Sequence, residues 1–189
     1  MSPPHTIRRI VLTGFMGAGK STVGAILAQR IGWEFVDADT VIESRAEKTV
    51  AEIFAQRGEA VFRALEVEAI REYALHDSLV LALGGGAIET EATRKLLATL
   101  DRSCILFLDA PLDILVARCL AQPAAAERPV LADREGLLRR FNARLPYYRN
   151  AHLTIATAGL SPQAVVTRIL EAIEKRCTTV AATQGVPIR

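Results

Sequence analysis

At 189 residues the chain has the length of one domain, and 50% of its residues are hydrophobic, enough to supply a core. Its 23 basic and 21 acidic side chains leave a formal charge of +2, too small for a one-signed field that would draw in nucleic acid. No apolar run approaches the roughly 20 residues that cross a bilayer, and no long apolar stretch follows the charges of MSPPHTIRRI, so neither membrane insertion nor export is expected.

Apolar, β-branched runs alternate with longer helical stretches, the pattern of a parallel sheet covered by helices. Five strands are predicted, at Arg9–Thr13, Trp33–Asp37, Leu79–Leu83, Cys104–Asp109 and His152–Thr157. A helix running to about Ile31 follows the first. Thr49-Val50-Ala51-Glu52 reads as a capping box. From Gly58 to about His76, Phe62, Leu65, Ala69, Ile70 and Tyr73 keep helical spacing and leave Arg63 and Glu66 on another strip. Asp109-Ala110-Pro111 and Ser161-Pro162 read as helix entries, with a capping side chain before a proline. The composition of the segment from Gln122 to Pro129 suggests a mobile loop, and the tail after Arg176 is expected to fray. Cys104, Cys119 and Cys177 are widely spaced and outside any CxxC or Cys/His pattern, which predicts reduced thiols and a cytoplasmic protein.

Gly14-Phe15-Met16-Gly17-Ala18-Gly19-Lys20-Ser21 matches GxxxxGK[ST] between a predicted strand and a predicted helix, the context that a phosphate-binding loop requires. Its glycines let backbone N–H groups turn inward around phosphate oxygens, and the helix N-terminus adds partial positive charge. Gly17, Ala18, Gly19, Lys20, Ser21 and Thr22 are therefore the expected ATP contacts. Lys20 would reach the β- and γ-phosphates and Ser21 would ligate Mg²⁺. The loop alone does not say where the phosphoryl group goes.

Asp37-Ala38-Asp39 follows the second strand, at the sheet end where open parallel sheets bind ligands. Strand alternation would point both carboxylates the same way, one toward a metal shell and one toward an attacking hydroxyl; alternatively, Asp39 merely caps the next helix. Arg63 could grip a substrate carboxylate with two parallel bonds, or could be a solvated helix charge paired with Glu66. Gly84, Gly85 and Gly86 end the third strand, and they either admit a ligand close to the backbone or form a flexible turn.

Taken in order, GxxGxGKST, DAD, FRxLE, GGGA, RP and RxPxY from Gly14 to Tyr148 resemble the shikimate kinases of the nucleoside-monophosphate-kinase-like P-loop group. The resemblance implies a three-layer α/β/α fold with a five-stranded parallel sheet in order 2-3-1-4-5, one kinase domain over residues 1–189. Within it, an acceptor-binding insertion is expected near 38–70 and a lid near 118–131. It further implies that Asp39 contacts the substrate hydroxyls as catalytic base, and that Asp37 supports Mg²⁺ through water while Ser21 binds it directly. Arg63, Arg144 and Gly85, flanked by Gly84 and Gly86, would hold the substrate carboxylate, with Glu66 positioning these groups. Arg128 would reach over the ATP phosphates from the lid and share catalysis with Lys20 and Asp39, since phosphoryl transfer rests on positioning and charge neutralisation. No residue is assigned to the adenine.

The reaction so implied is transfer of the γ-phosphate of MgATP to the 3-hydroxyl of shikimate, a step of chorismate and aromatic amino-acid synthesis, by a monomer with no nucleic-acid or membrane partner. A gluconate-type kinase and an ATP-dependent regulatory module are the alternatives. The first lacks the GGG turn, FRxLE and RxPxY; the second would be expected to have lost Asp39, Arg63 or Arg144.

Overall fold

The computed structural model describes residues 6–121 and 133–183, with side chains described as far as residue 178. Its five strands, β1 Arg9–Thr13, β2 Glu34–Asp37, β3 Leu79–Ala82, β4 Ser103–Asp109 and β5 Leu153–Ala156, form one sheet in the order β2-β3-β1-β4-β5. Every pairing is parallel. The expected fold and strand order are thus present, with boundaries shifted by one residue at several strand ends. Burial explains the near-continuous apolar runs: Ile10, Leu12, Leu79, Val80 and Leu106 have 0% exposure, as strands covered on both faces require.

The helices are α1 Lys20–Ile31, α2 Ala38–Ala46, α3 Val50–Tyr73, α4 Glu91–Ala98, α5 Leu112–Leu120, α6 Arg134–Tyr148 and α7 Pro162–Thr183, with a 3₁₀ turn at Ala87–Glu89. The main core joins the sheet to α1, α5, α6 and α7. A second, smaller core of Ile42, Ile53, Phe62 and Ala69 lies between α2 and α3, so this helical pair has packing of its own beside the sheet.

Some local expectations hold and others need correction. The helical segment carrying Arg63 does begin at Gly58, whose non-helical backbone, at φ 79° and ψ 167°, divides α3 into two segments, the first of them capped by Thr49. Glycine alone takes that backbone conformation cheaply. Asp109 caps no helix; it remains the last residue of β4, and Pro111 occupies the position before α5 with no side-chain cap. The tail does not fray at Arg176, because α7 meets no glycine or proline before Gly185 and continues to Thr183. Ser161 does cap α7, its Oγ accepting from the Ala164 N–H at 3.2 Å. The expected loop from Gln122 to Pro129, and with it most of the lid, lies outside the described residues.

Cys104, Cys119 and Cys177 form no disulfide. None of the described helices is long and apolar enough to cross a membrane.

The capping box is reciprocal. Thr49 Oγ1 accepts from the Glu52 N–H at 3.2 Å, while Glu52 Oε2 accepts from the Thr49 N–H at 2.8 Å. Next to it, Glu43 of α2 accepts from the Val50 N–H at 2.9 Å and ties the two helices together. Thr49→Ala should therefore cost about 1 kcal/mol. A thermal or urea melt would register this as a fall of about 2–4 °C in Tm or the matching midpoint shift.

Candidate active site

The strand order brings the C-terminal ends of β1, β2 and β3 side by side, and the loops leaving them meet. From β1 comes the phosphate-binding loop. Gly17 sits at φ 77°, and a Cβ there would come within 2.3 Å of the Leu115 backbone oxygen, so α5 packs against a loop that only glycine can form. Gly19 precedes α1 in the left-handed region and offers no side-chain cap, which leaves the first-turn N–H groups of α1 for an anion. Ala18 is buried beneath the loop, and Ser21 and Thr22 are exposed at the start of α1.

The Lys20 ammonium is folded back onto the loop, donating to the Gly14 and Phe15 carbonyls at 2.8 and 3.2 Å. Burial lowers its pKa, opposed by the Asp39 and Asp37 carboxylates. These three charges therefore share one pocket.

From β2 comes the acidic pair, in a different arrangement from the one alternation predicts. The strand stops at Asp37, whose Oδ1 accepts from the Asp39 N–H at 3.0 Å and caps α2. Asp37, not Asp39, does the capping. The other Asp37 oxygen, Oδ2, accepts a short hydrogen bond from the Ser21 hydroxyl. A hydroxyl and a carboxylate oxygen in contact, beside the phosphate loop, form the hard-oxygen donor set that Mg²⁺ prefers, so these residues fit that ion.

Asp39 lies within the first turn of α2, and its Oδ1 is buried without a hydrogen-bond partner. Burial, then Asp37, raises its carboxyl above the usual range, with Lys20 pulling it back. A buried acceptor without a donor is one that a substrate hydroxyl would satisfy.

The glycines after β3 are the floor of the pocket. None of them has a left-handed backbone. What they provide is the absence of a Cβ: at Gly84 it would lie 2.4 Å from Glu66 Oε1 and 2.7 Å from Asp39 Oδ1, and at Gly86 2.2 Å from an Arg63 nitrogen. Of the two readings of these glycines, the close approach is the one seen here: the side chains of Glu66, Asp39 and Arg63 lie against their backbone. Gly85 is fixed by Tyr148, whose hydroxyl donates to its carbonyl while the ring stacks on Phe107 at 5.1 Å.

Arg63 does pair with Glu66, at 2.8 Å, but not as a solvated helix charge, because the Glu66 side chain is wholly buried. The kink at Gly58 and the packing of α3 turn that strip of the helix inward. Arg63 also meets Glu59 at 3.1 Å. Glu66 keeps its second oxygen unpartnered, and burial pushes its pKa up to about 7 against the pull of Arg63.

Arg144 arrives from α6, nearly buried, with its guanidinium 5.5 Å from the Phe15 ring centroid. It donates to Glu89 Oε2 at 2.7 Å, and Arg63 approaches the same oxygen at 3.7 Å. The two arginines, 81 positions apart in the sequence (144 − 63), thus meet at one carboxylate. Sequence reasoning missed Glu89 and gave Tyr148 no role. Nothing in the spacing marks Glu89, whereas Tyr148 stands in the RxPxY motif. Arg128 lies outside the described residues.

A phosphate loop at the head of a parallel sheet in this order, facing an acidic pair and a cationic clamp, defines a P-loop fold of the small-molecule kinase class. A family model described as shikimate kinase matches residues 16–174. The shikimate kinase of Geobacter sulfurreducens is 42% identical over 172 residues, covering 89% of this chain and 92% of that protein. Among solved structures, a shikimate kinase from Acinetobacter baumannii in complex with shikimate superposes with a TM-score of 0.82 at 35% identity, covering 90% of this chain and 95% of that one. The chain belongs to the shikimate kinase family. A gluconokinase from Sinorhizobium meliloti, at TM-score 0.60 and 18% identity over 95% of this chain and 99% of that one, shares the fold alone.

The raised Glu66 pKa has a definite sign for stability. Folded Glu66 holds its proton to about pH 7, while the unfolded chain releases it near the ordinary 4.5. The resulting stabilisation is complete below pH 4.5 and is lost as pH climbs to about 7. Urea melts across that window should show wild-type stability falling with pH relative to Glu66→Gln, which cannot titrate; parallel curves would contradict the assignment.

Proposed function

We propose that the protein phosphorylates shikimate at its 3-hydroxyl, using MgATP and releasing shikimate 3-phosphate and ADP. The observation that carries this reading is the approach of Arg63 and Arg144 to one carboxylate oxygen, beside a buried Asp39 that interacts electrostatically with Lys20. An acid bearing ring hydroxyls needs these two features together: a cationic clamp for the acid and an acceptor for the hydroxyl proton.

In this reading the triphosphate lies in the loop from Gly14 to Ser21, held by its N–H groups and the N-terminus of α1, Gly17 to Thr22 included. Lys20 leaves the Gly14 and Phe15 carbonyls and turns to the β- and γ-phosphates. Ser21 would hold Mg²⁺ directly and Asp37 through water. Bound there, the ion would neutralise charge on the phosphate oxygens.

Arg63 and Arg144, with the Gly84 to Gly86 backbone, bind the ring carboxylate and so aim the hydroxyl at the phosphorus. Glu66 holds Arg63 in line. Asp39 accepts the hydroxyl proton as the oxygen bonds to the γ-phosphorus; the bond to the β–γ bridging oxygen breaks and ADP leaves. The α2–α3 pair with its own small core is the acceptor-binding unit, near residues 38–70. Closure of a lid near 118–131, with Arg128 over the phosphates, would keep water from the γ-phosphate. A cytoplasmic monomer is part of the proposal, carried by the wide-set cysteines and by a sequence without a long apolar stripe.

A coupled ADP-release assay with shikimate, with gluconate and without acceptor tests this directly. Turnover should require shikimate; acceptor-independent ADP release, or preference for gluconate, would overturn it. Asp39→Asn should keep ATP binding and lower kcat by about 10²–10⁴-fold, since it preserves shape and removes the base. Near-normal kcat would remove Asp39 from the chemistry. Arg144→Ala should raise the KM for shikimate by about tenfold or more and change the KM for ATP little, a split that steady-state kinetics would resolve.

A further inference from the structure

Glu89 is the residue of the site that neither the motifs nor the proposed chemistry uses. Its Oε2 lies 2.7 Å from the Arg144 terminal nitrogen Nη2 and 3.7 Å from Nη2 of Arg63. Arg144 Nε, on the same edge of the guanidinium as Nη2, is buried with no hydrogen-bond partner of good geometry, the Tyr148 hydroxyl being the neutral group that interacts with this arginine. Glu89 thus occupies one donor of an edge built for two.

A carboxylate free to align with that edge would satisfy both donors, as bidentate arginine–carboxylate pairs do, and would end the burial of an unpartnered N–H. The Glu89 backbone is held where it is by Arg94. Arg94 donates from Nη1 to the Ile88 and Glu89 carbonyls at 2.7 and 2.6 Å, and its guanidinium stacks over the Tyr147 ring at 4.4 Å. The Glu89 side chain is 35% exposed, against 10% for Arg144 and 16% for Arg63, so it has an outward path that the arginines lack.

We propose that Glu89 is a tethered placeholder for the substrate carboxylate: it holds the two arginines together in the empty site, and the incoming acid displaces it toward solvent. The placeholder rests on the function proposed above and adds a determinant of acid affinity. Two guanidiniums facing one site repel each other, and a resident anion offsets that repulsion until substrate arrives. The consequence is competition, since every binding event must first break the Glu89 contact. Glu89 is a specificity-setting residue and takes no part in phosphoryl transfer.

The test is steady-state kinetics and calorimetry on the full chain carrying Glu89→Gln, with Glu89→Ala as a second variant, each checked by thermal melt. The KM and Kd for shikimate should fall by about three- to tenfold, with kcat and the KM for ATP within about twofold of wild type. The gain should vanish for shikimate methyl ester, which lacks the anion. Loss of a merely structural strut would instead weaken shikimate binding. Absence of wild-type turnover with shikimate would overturn the proposed function and the placeholder with it. Wild-type turnover together with an unchanged or raised KM in Glu89→Gln, or an equal gain for the ester, would overturn the placeholder alone.

Discussion

Two guanidinium groups that approach one carboxylate oxygen repel each other, and the rest of the pocket is arranged around that repulsion. Arg63 is held by Glu59 and Glu66, Arg144 by Glu89, and Glu89 reaches both. Burial strengthens the Arg63–Glu66 contact, where the Glu66 side chain is wholly buried, and makes unmatched charge costly there, whereas Glu59 lies exposed. The same low-dielectric setting keeps the Glu66 proton on to about pH 7 and raises the Asp39 carboxyl. The proposed anion clamp and the proposed proton acceptor thus share one setting.

The sheet makes this arrangement possible. With β1 between β3 and β4 and β2 outside β3, the phosphate loop, the acidic pair and the glycine turn leave adjacent strand ends on one edge. Each loop is then fixed by something rigid. Leu115 of α5 closes on Gly17, Asp37 caps α2, and Tyr148 holds Gly85 from within the core. The Tyr148 ring stacks on Phe107, a β4 residue, so the acceptor side of the pocket is braced by the same sheet that carries the phosphate side. On the far edge, Arg118 of α5 donates to the Thr157 hydroxyl and carbonyl at 2.9 and 2.7 Å, which anchors the C-terminal part of α5.

The small core between α2 and α3 separates two duties. Its packing holds Asp39 on one helix and Arg63 with Glu66 on the other, while the main core holds the phosphate loop. The bend at Gly58 separates the segment capped by Thr49 from the one that carries Arg63 and Glu66. Glu66 is buried there, although its sequence position alone reads as a helix surface.

Signals set by local chemistry were legible in the amino-acid order. The phosphate loop needs glycines at particular positions, parallel strands covered on both faces need apolar β-branched runs, and an N-terminal cap needs Thr49 three residues before Glu52; each leaves its mark within a short window. Family resemblance supplied the roles of Asp39, Arg63 and Arg144. The partners of those residues were left to the tertiary structure. Asp37 rather than Asp39 caps α2 because the helix begins at Ala38, directly after the strand, so the alternation of β2 does not extend to Asp39. Glu89 meets Arg144 across 55 positions because the turn after β3 and the helix α6 pack together. Contacts of this kind depend on where separate elements cross, which no local pattern encodes, and that is why the sequence determined the chemistry available to this protein while only the fold decided which charges face one another.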